Sequence, residues 1–447
     1  MWSFCKCIFL TLSACFVVTL AMAQPKNNSP YSRFGLGDVL NQNFANLRAT
    51  PGFTNAYNNA YHLNLQNPAS LGFMQMAAFD FGLYGRNSTW ESNSETNGRQ
   101  TNENWSGNLS HLALGFTLNN PINDLLDREA RNFSWGMSLA LVPYSLVGYT
   151  VQTEGVVPNI GNVVSEFRGE GGTNQFIWAN GFRYKQTAIG VNLGYLFGKI
   201  ENTRGVIFED IAAGFQDRFV DDFSINGFIW KFGAQHNFIF NAGDAKKVKV
   251  LTLGVTASSN SSLNTNTSQF FTRFNPSYVI ALSNDTIVDR SQIKGSATLP
   301  GQIGAGVIFT GGTKYKLGIN YDATFWSNYQ NDAKPESFDN AHRLSFGAEY
   351  IPNYSSYNKF LHRVRYRIGA FTGTDPRSID GQQLEEIGVT FGLGLPITLP
   401  RRQVSFINIT VELGKRGGNT VLQETYGEFT VGFTLNDNSW FRKRKFN

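Results

Sequence analysis

Short stretches in which apolar and polar residues alternate recur along most of this chain. In Ala77–Trp90, Phe79, Phe81 and Leu83 share one set of positions; Asp80, Gly82, Tyr84 and Arg86 share the other. Ala188–Lys199 sets Ile189, Val191, Leu193, Tyr195 and Phe197 against Gly190, Asn192, Gly194 and Gly198. Lys316–Trp326 sets Leu317, Ile319, Tyr321 and Phe325 against Gly318, Asn320, Asp322 and Thr324. Arg343–Glu349 and Glu428–Leu435 repeat the pattern. A period of two puts successive side chains on opposite faces of a strand. A soluble sandwich would coat its outer faces with Lys and Glu. Here the polar face is Gly, Asn, Thr and scattered charge, which suits an aqueous lumen with the apolar face toward lipid.

Fourteen such segments are expected: 77–92, 102–119, 132–149, 173–184, 188–200, 221–240, 248–262, 300–311, 315–328, 341–351, 362–373, 382–395, 404–416 and 424–436. The fold class expected is therefore all-β, a transmembrane antiparallel β-barrel of about fourteen strands. An even number puts both ends on the periplasmic side. Lys185–Thr187, Asn241–Lys247, Gly312–Lys314 and Pro396–Gln403 are short, as periplasmic turns should be; 120–131 and 352–361 are longer. The extracellular loops are expected at 150–172, 201–220 and 263–299. Trp90, Trp105, Trp135, Trp230 and Trp326 fall near strand ends and are expected in interfacial girdles.

Composition agrees. The 447 residues are 14% aromatic and 16% charged, with 45 Gly. A disordered chain would be charged and poor in aromatics. After Ala23 no apolar run approaches the roughly 20 residues of a spanning helix. Met1–Ala23 carries one Lys, an apolar core and the ending Ala21-Met22-Ala23, and is expected to be a secretory signal cleaved before Gln24. Leu12-Ser13-Ala14-Cys15 resembles a lipobox, but the apolar stretch continues past Cys15. All three cysteines, Cys5, Cys7 and Cys15, lie in this segment. The mature chain is thus expected to use no disulfide, thiol or Cys-bound zinc. The net charge of +5 falls to +4 without the signal's Lys, too weak to suggest nucleic acid.

Residues 24–72 lack strand periodicity yet carry Tyr31, Phe34, Phe44, Leu47, Phe53, Tyr57, Tyr61 and Leu65, too many for a flexible linker. The segment ends in Leu65-Gln66-Asn67-Pro68-Ala69-Ser70-Leu71-Gly72 and opens with Ser29-Pro30-Tyr31-Ser32-Arg33-Phe34-Gly35-Leu36-Gly37-Asp38. With Asn67-Pro68-Ala69 just before the first of fourteen strands, the chain resembles the FadL/TodX family of outer-membrane transporters for hydrophobic compounds. The opening resembles members from Bacteroidota-type bacteria. The resemblance implies a signal over 1–23, an N-terminal plug or hatch over 24–72 that holds Asn67, Pro68 and Ala69, a barrel over 73–437 and a basic periplasmic tail over 438–447. It also implies a Gram-negative outer membrane and lateral exit of substrate through a defect in the third strand. Pro143 lies in that strand and has no N–H for the ladder; the competing reading is a structural bulge.

The loop 201–220 contains Phe208, Ile211 and Phe215, an apolar cluster that would serve as the family's outer capture site or as a lid. Arg363, Arg365 and Arg367 alternate onto one face, and Arg343 is expected to face the lumen on the preceding strand. Arginine suits bidentate carboxylate recognition, so these four are headgroup candidates; a lumen salt-bridge ladder with Glu349, Glu385 or Glu386 is the alternative. The five histidines are scattered without metal-ligand spacing, and no G-x-S-x-G elbow occurs. No catalysis, metal or cofactor is expected. The leading expectation is passive uptake of a hydrophobic small molecule, a long-chain fatty acid or similar, with outer-membrane lipid as surroundings. The alternative is a non-transporting barrel subunit of a secretion or protein-assembly complex, with other outer-membrane proteins as partners. An apolar continuous tunnel favours the first; a lumen filled by the hatch and Arg–Glu ladders favours the second.

Overall fold

The computed structural model describes residues 28–437, except 95–97, 119–131, 159–160, 209, 211–215, 242–247, 275–284, 400–402 and 419. The expected signal and basic tail, and Ile211 and Phe215, lie outside the described residues. The strands are β1 (Asp38–Val39), β2 (Ala77–Ser94), β3 (Gly98–Thr117), β4 (Phe133–Val157), β5 (Gly161–Tyr184), β6 (Thr187–Phe208), β7 (Gln216–Phe240), β8 (Lys249–Ser258) and β9 (Ser261–Phe274). They continue with β10 (Asp285–Leu299), β11 (Gln302–Gly311), β12 (Tyr315–Thr324), β13 (Gln330–Asn331), β14 (Ala341–Tyr350), β15 (Arg365–Ile379), β16 (Gln382–Leu399), β17 (Gln403–Arg416) and β18 (Leu422–Asp437).

β8 with β9, and β10 with β11, each form one interrupted wall strand. Two short strands lie off the wall count, β1 in the N-terminal segment and β13 in the loop after β12. The wall is thus a closed antiparallel barrel of fourteen strands. β18 closes it onto β2 from Asp437↔Ala77 to Leu422↔Ser92. Closure is what permits a sheet to cross a bilayer, since every backbone group must find a partner within the sheet.

The expected strands agree with the observed ones across the membrane and fall short above it. β4 has 25 residues and β7 also 25, whereas about 9–11 tilted residues cross the hydrocarbon. The loops expected at 150–172, 201–220 and 263–299 are largely strand, because β4–β7, β9 and β10 continue beyond the bilayer. There the outer face of the sheet meets water instead of lipid, so the apolar alternation that marked the strands disappears, while Tyr149, Ile200, Phe223, Ile225 and Leu263 pack together on the inner face. Pro396, expected in a turn, lies within β16. Outward residues such as Leu83, Ile189, Leu317 and Phe391 are exposed as the pattern requires. Trp105, Trp135 and Trp230 face outward, but Trp90 and Trp326 are buried inside. Trp90 packs edge-on against Tyr31, with centroids 5.1 Å apart.

The interior holds the N-terminal segment. It contains 3₁₀ turns at Pro30–Arg33, Pro51–Phe53 and Pro68–Phe73, one short helix, α1 (Ala45–Arg48), and β1. Phe44, Leu63, Leu65 and Leu71 pack against Ala113, Ala140 and Ala179 of the wall. Leu47, Phe53, Ala56 and Tyr57 pack with Ile308. These contacts between hatch and lumen wall form one part of the core; in the other, Leu36 packs with Leu196, Ile200, Phe223, Ile225, Leu263, Trp326 and Tyr329.

Candidate functional site: the hatch in the lumen

The hatch touches the wall around its whole circumference, and the lumen-facing glycines are the reason. A Cβ added at Gly115, Gly136, Gly181, Gly190, Gly233, Gly254, Gly304, Gly318, Gly347, Gly369, Gly392 or Gly432 would run into hatch atoms. These twelve glycines lie on twelve different wall strands. On the thirteenth, β17, Thr410 Oγ1 donates to Ala45 O at 2.7 Å. On the fourteenth, β2, the Tyr84 ring lies 5.5 Å from the Arg48 guanidinium. Removing the side chain lets backbone approach backbone, which is glycine's use wherever two chains pass closely.

Asn67, Pro68 and Ala69 come together at the centre of this contact. All three are buried. Asn67 Oδ1 accepts from Ala69 N–H at 3.1 Å and caps the turn Pro68–Phe73. Asn67 Nδ2 faces three carbonyls, those of Asn55 at 2.6 Å, Ala234 at 3.3 Å and Val255 at 3.3 Å. One carboxamide thus caps a hatch turn and ties it to β7 and β8. Proline at the first position of the turn loses no needed donor.

Ionic contacts fix the rest. Arg48 pairs with Glu428. Arg377 donates to Asp38 at 2.6 Å and to Tyr31 O at 2.8 Å, and Arg416 lies 3.4 Å from Asp38. Burial alone would raise the Asp38 pKa, but the Arg377 and Arg416 guanidiniums outweigh it and hold the carboxyl well below the usual range. Asp38 and Arg48 lie on the hatch and their partners on β15, β17 and β18. Few of these hatch–wall pairs have a sequence signal, since they join residues hundreds of positions apart.

The headgroup candidates separate into two levels. Arg367 bonds to Glu349 and to Asn408, each at 2.8 Å. Arg365 is beside it, 4.6 Å over the Phe406 ring. Arg363 precedes β15 and lies 5.6 Å from the Phe360 ring. Arg343 is elsewhere, 3.4 Å from Glu386 and 3.7 Å over the Phe371 ring. The four do not form one cluster, and Arg343 and Arg367 already have carboxylate partners.

A cavity of about 410 Å³ remains between hatch and wall. One side is ionic, with Arg86, Arg343, Arg416, Glu386, Glu412 and Glu424; the other is apolar, with Val142, Leu146, Ile229 and Trp326. Phe208, the described member of the outer apolar cluster, ends β6 and is half-buried.

Pro143 marks a break in the wall. β3 and β4 pair from Thr117↔Gly136 only as far as Leu112↔Leu141, and the β4–β5 register shifts between Pro143 and Ser145. Past that point the hatch takes the place of β3 on the edge of β4: Asp38 pairs with Leu146 and Val39 with Ser145. Gln42 Nε2 donates to the Pro143 carbonyl at 3.0 Å.

Fourteen strands, an N-terminal segment packed in the lumen around Asn67-Pro68-Ala69, and a third wall strand that leaves its neighbour define a barrel with the FadL/TodX fold. A FadL homologue from Pseudomonas aeruginosa matches with a TM-score of 0.54 at 11% identity, over 89% of this chain and 99% of that one. The toluene transporter TodX of P. putida matches with a TM-score of 0.53 at 12% identity, over 88% and 98%. At these identities the likeness is one of fold, and it is to channel proteins rather than to enzymes. No curated protein matches the chain. A family model described as BamG matches residues 5–447, and the chain belongs to the BamG family.

Proposed function

We propose that this protein is a non-transporting barrel subunit of an outer-membrane complex that secretes or assembles proteins, reached by export on the 1–23 signal and cleavage before Gln24. One observation carries the reading: hatch atoms occupy the place of a side chain on twelve of the fourteen wall strands. Releasing the hatch would break that contact, the Asn67 bonds and the buried Arg48–Glu428 pair together. Passive uptake supplies no energy source to offset the simultaneous loss of these contacts. The ionic wall beside the cavity also suits a hydrophobic cargo poorly. The test is entry of a fluorescent long-chain fatty acid into proteoliposomes holding the purified full chain. The rate should equal that of empty liposomes; an increase proportional to protein content would defeat the proposal.

A second reading, passive uptake of a long-chain fatty acid or similar molecule with lateral exit, is favoured by the parting of β3 from β4 beside Pro143. In that reading Pro143 keeps the exit open and the apolar side of the cavity holds the cargo. Pro143→Ala would then lower the entry rate in the same assay, whereas the subunit reading expects no change.

A further inference from the structure

Above the β3–β4 parting, β3 continues as a hairpin with β2 whose residues 98–111 do not pair with β4, and the sheet on the β4 side is open with two edges that differ. β4–β7, β9 and β10 rise together, leaving β10 at one edge and β4 at the other. The β10 edge carries the features that discourage strand pairing. Its register shifts between Thr286 and Val288 and again between Arg290 and Ile293. Gln292 has a φ of 58°, and Asp285, Asp289, Arg290 and Lys294 supply charge. The β4 edge over Thr150–Val157 has no proline, one charged residue (Glu154), and an unbroken ladder to β5 from Ser145↔Thr173 to Val157↔Gly161.

The lower part of this β4 edge already accepts added chain. Leu40 N–H donates to Tyr144 O at 2.9 Å, and Ser29 N–H donates to Gly148 O at 2.7 Å. Gly148 N–H donates to Ser32 Oγ at 3.1 Å. The even-numbered residues therefore turn their backbone groups toward the free side. By the alternation of an antiparallel ladder, Thr150, Gln152, Glu154 and Val156 do the same. Among the described residues, nothing pairs with their backbone groups on that side.

We propose that the β4 edge from Thr150 to Val157 is the seat of an extended segment of a partner protein, added antiparallel to β4 as a continuation of the ladder begun by β1. This rests on the subunit reading and names the contact through which the subunit is held. The recognition is main-chain hydrogen bonding, so the partner segment is an extended strand with few charges on the side near Glu154. A second copy of this chain fits less well: it stands the same way up in the membrane, so its own β4 would run parallel.

The test uses the full chain in its own membrane, with a benzophenone side chain in place of Gln152 and, as control, in place of Ile293 on the β10 edge. Crosslinking at 152 should join one defined peptide of another protein, and crosslinks from 150 and 154 should step through that peptide in reverse order. Crosslinking at 293 should not capture it. Gln152→Pro removes one donor and should weaken co-purification of that partner about tenfold, as expected for one lost hydrogen bond. Glu154→Lys guards the edge without touching the ladder and should act the same way. Each variant's heat-shifted migration on a gel shows whether the barrel has folded. A complex that survives both variants, with crosslinks only to lipid, to this chain's own N-terminal residues or to a second copy, overturns the edge as the seat and leaves the subunit reading standing. A barrel that leaves the membrane alone overturns both.

Discussion

The carboxamide oxygen of Asn67 occupies the space that a side chain on Gly233 would fill. One residue is in the hatch and the other in β7, so each constrains the other. The smallest substitution at Gly233 should therefore act on the hatch before it acts on the barrel. Gly233→Ala is expected to leave membrane insertion intact and to make the hatch accessible to protease from the periplasmic side. Limited proteolysis with mass mapping reads this directly, with cuts expected between residues 28 and 76.

Asn67 itself separates two functions of one side chain. Asn67→Asp keeps the acceptor that caps Ala69 but turns a carboxylate toward three carbonyls. Asn67→Ala loses both the cap and the ties, at a cost of about 1–3 kcal/mol for the buried groups left unpaired. Asn67→Asp should cost more than Asn67→Ala, because a buried carboxylate turned toward carbonyl oxygens is the more expensive defect. Hydrogen exchange of hatch amides in the two variants gives the order; Asp milder than Ala would refute this account of the motif.

The Arg48–Glu428 pair makes a non-additive prediction. Arg48→Met strands the Glu428 oxygen that Arg48 holds, with Arg86 remaining 3.8 Å from the other oxygen, and should destabilise the seated hatch by about 1.5–3 kcal/mol. Adding Glu428→Leu removes the stranded group, and the double variant should recover most of that loss. Equal losses in the single and double variants would show that the pair contributes through packing alone.

Acid should loosen the hatch through Asp38. Its folded pKa lies below the unfolded one, so its contribution is fully present above the ordinary carboxylate value of about 3.9 and is lost as pH falls below it. The hatch is thus expected to stay protected at neutral pH and to become accessible to pepsin below about pH 4. Asp38→Asn should flatten this dependence. An unchanged acid profile in that variant would assign the transition to other carboxylates.

Most of the wall was legible because lipid on one face and lumen on the other impose a period of two, as in Ile189–Phe197 and Leu317–Phe325. The glycines opposite them were visible as a lumen face, but not as the seat of a hatch. The number of hatch contacts depends on how a segment without periodicity folds, and local pattern carries no information on that. The upper halves of β4–β7 were missed because the outer face there meets water instead of lipid and loses its apolar residues. Trp90 and Trp326 were misplaced for a related reason: nearness to a strand end does not say which way a ring points. Of the three arginines expected to alternate on one strand, Arg365 and Arg367 lie on β15 and Arg363 precedes it. Their division from Arg343 depends on strand register and on Glu349 and Glu386 lying at different heights.

The central claim is that the hatch stays in place and the barrel acts through other proteins. Native mass spectrometry of the full chain, extracted gently from its own membrane, tests it most directly. The account predicts a ligand-free barrel held with other outer-membrane proteins. A monomer carrying a small amphiphile, lost when Pro143 is changed to Ala, would contradict it and establish the uptake reading instead.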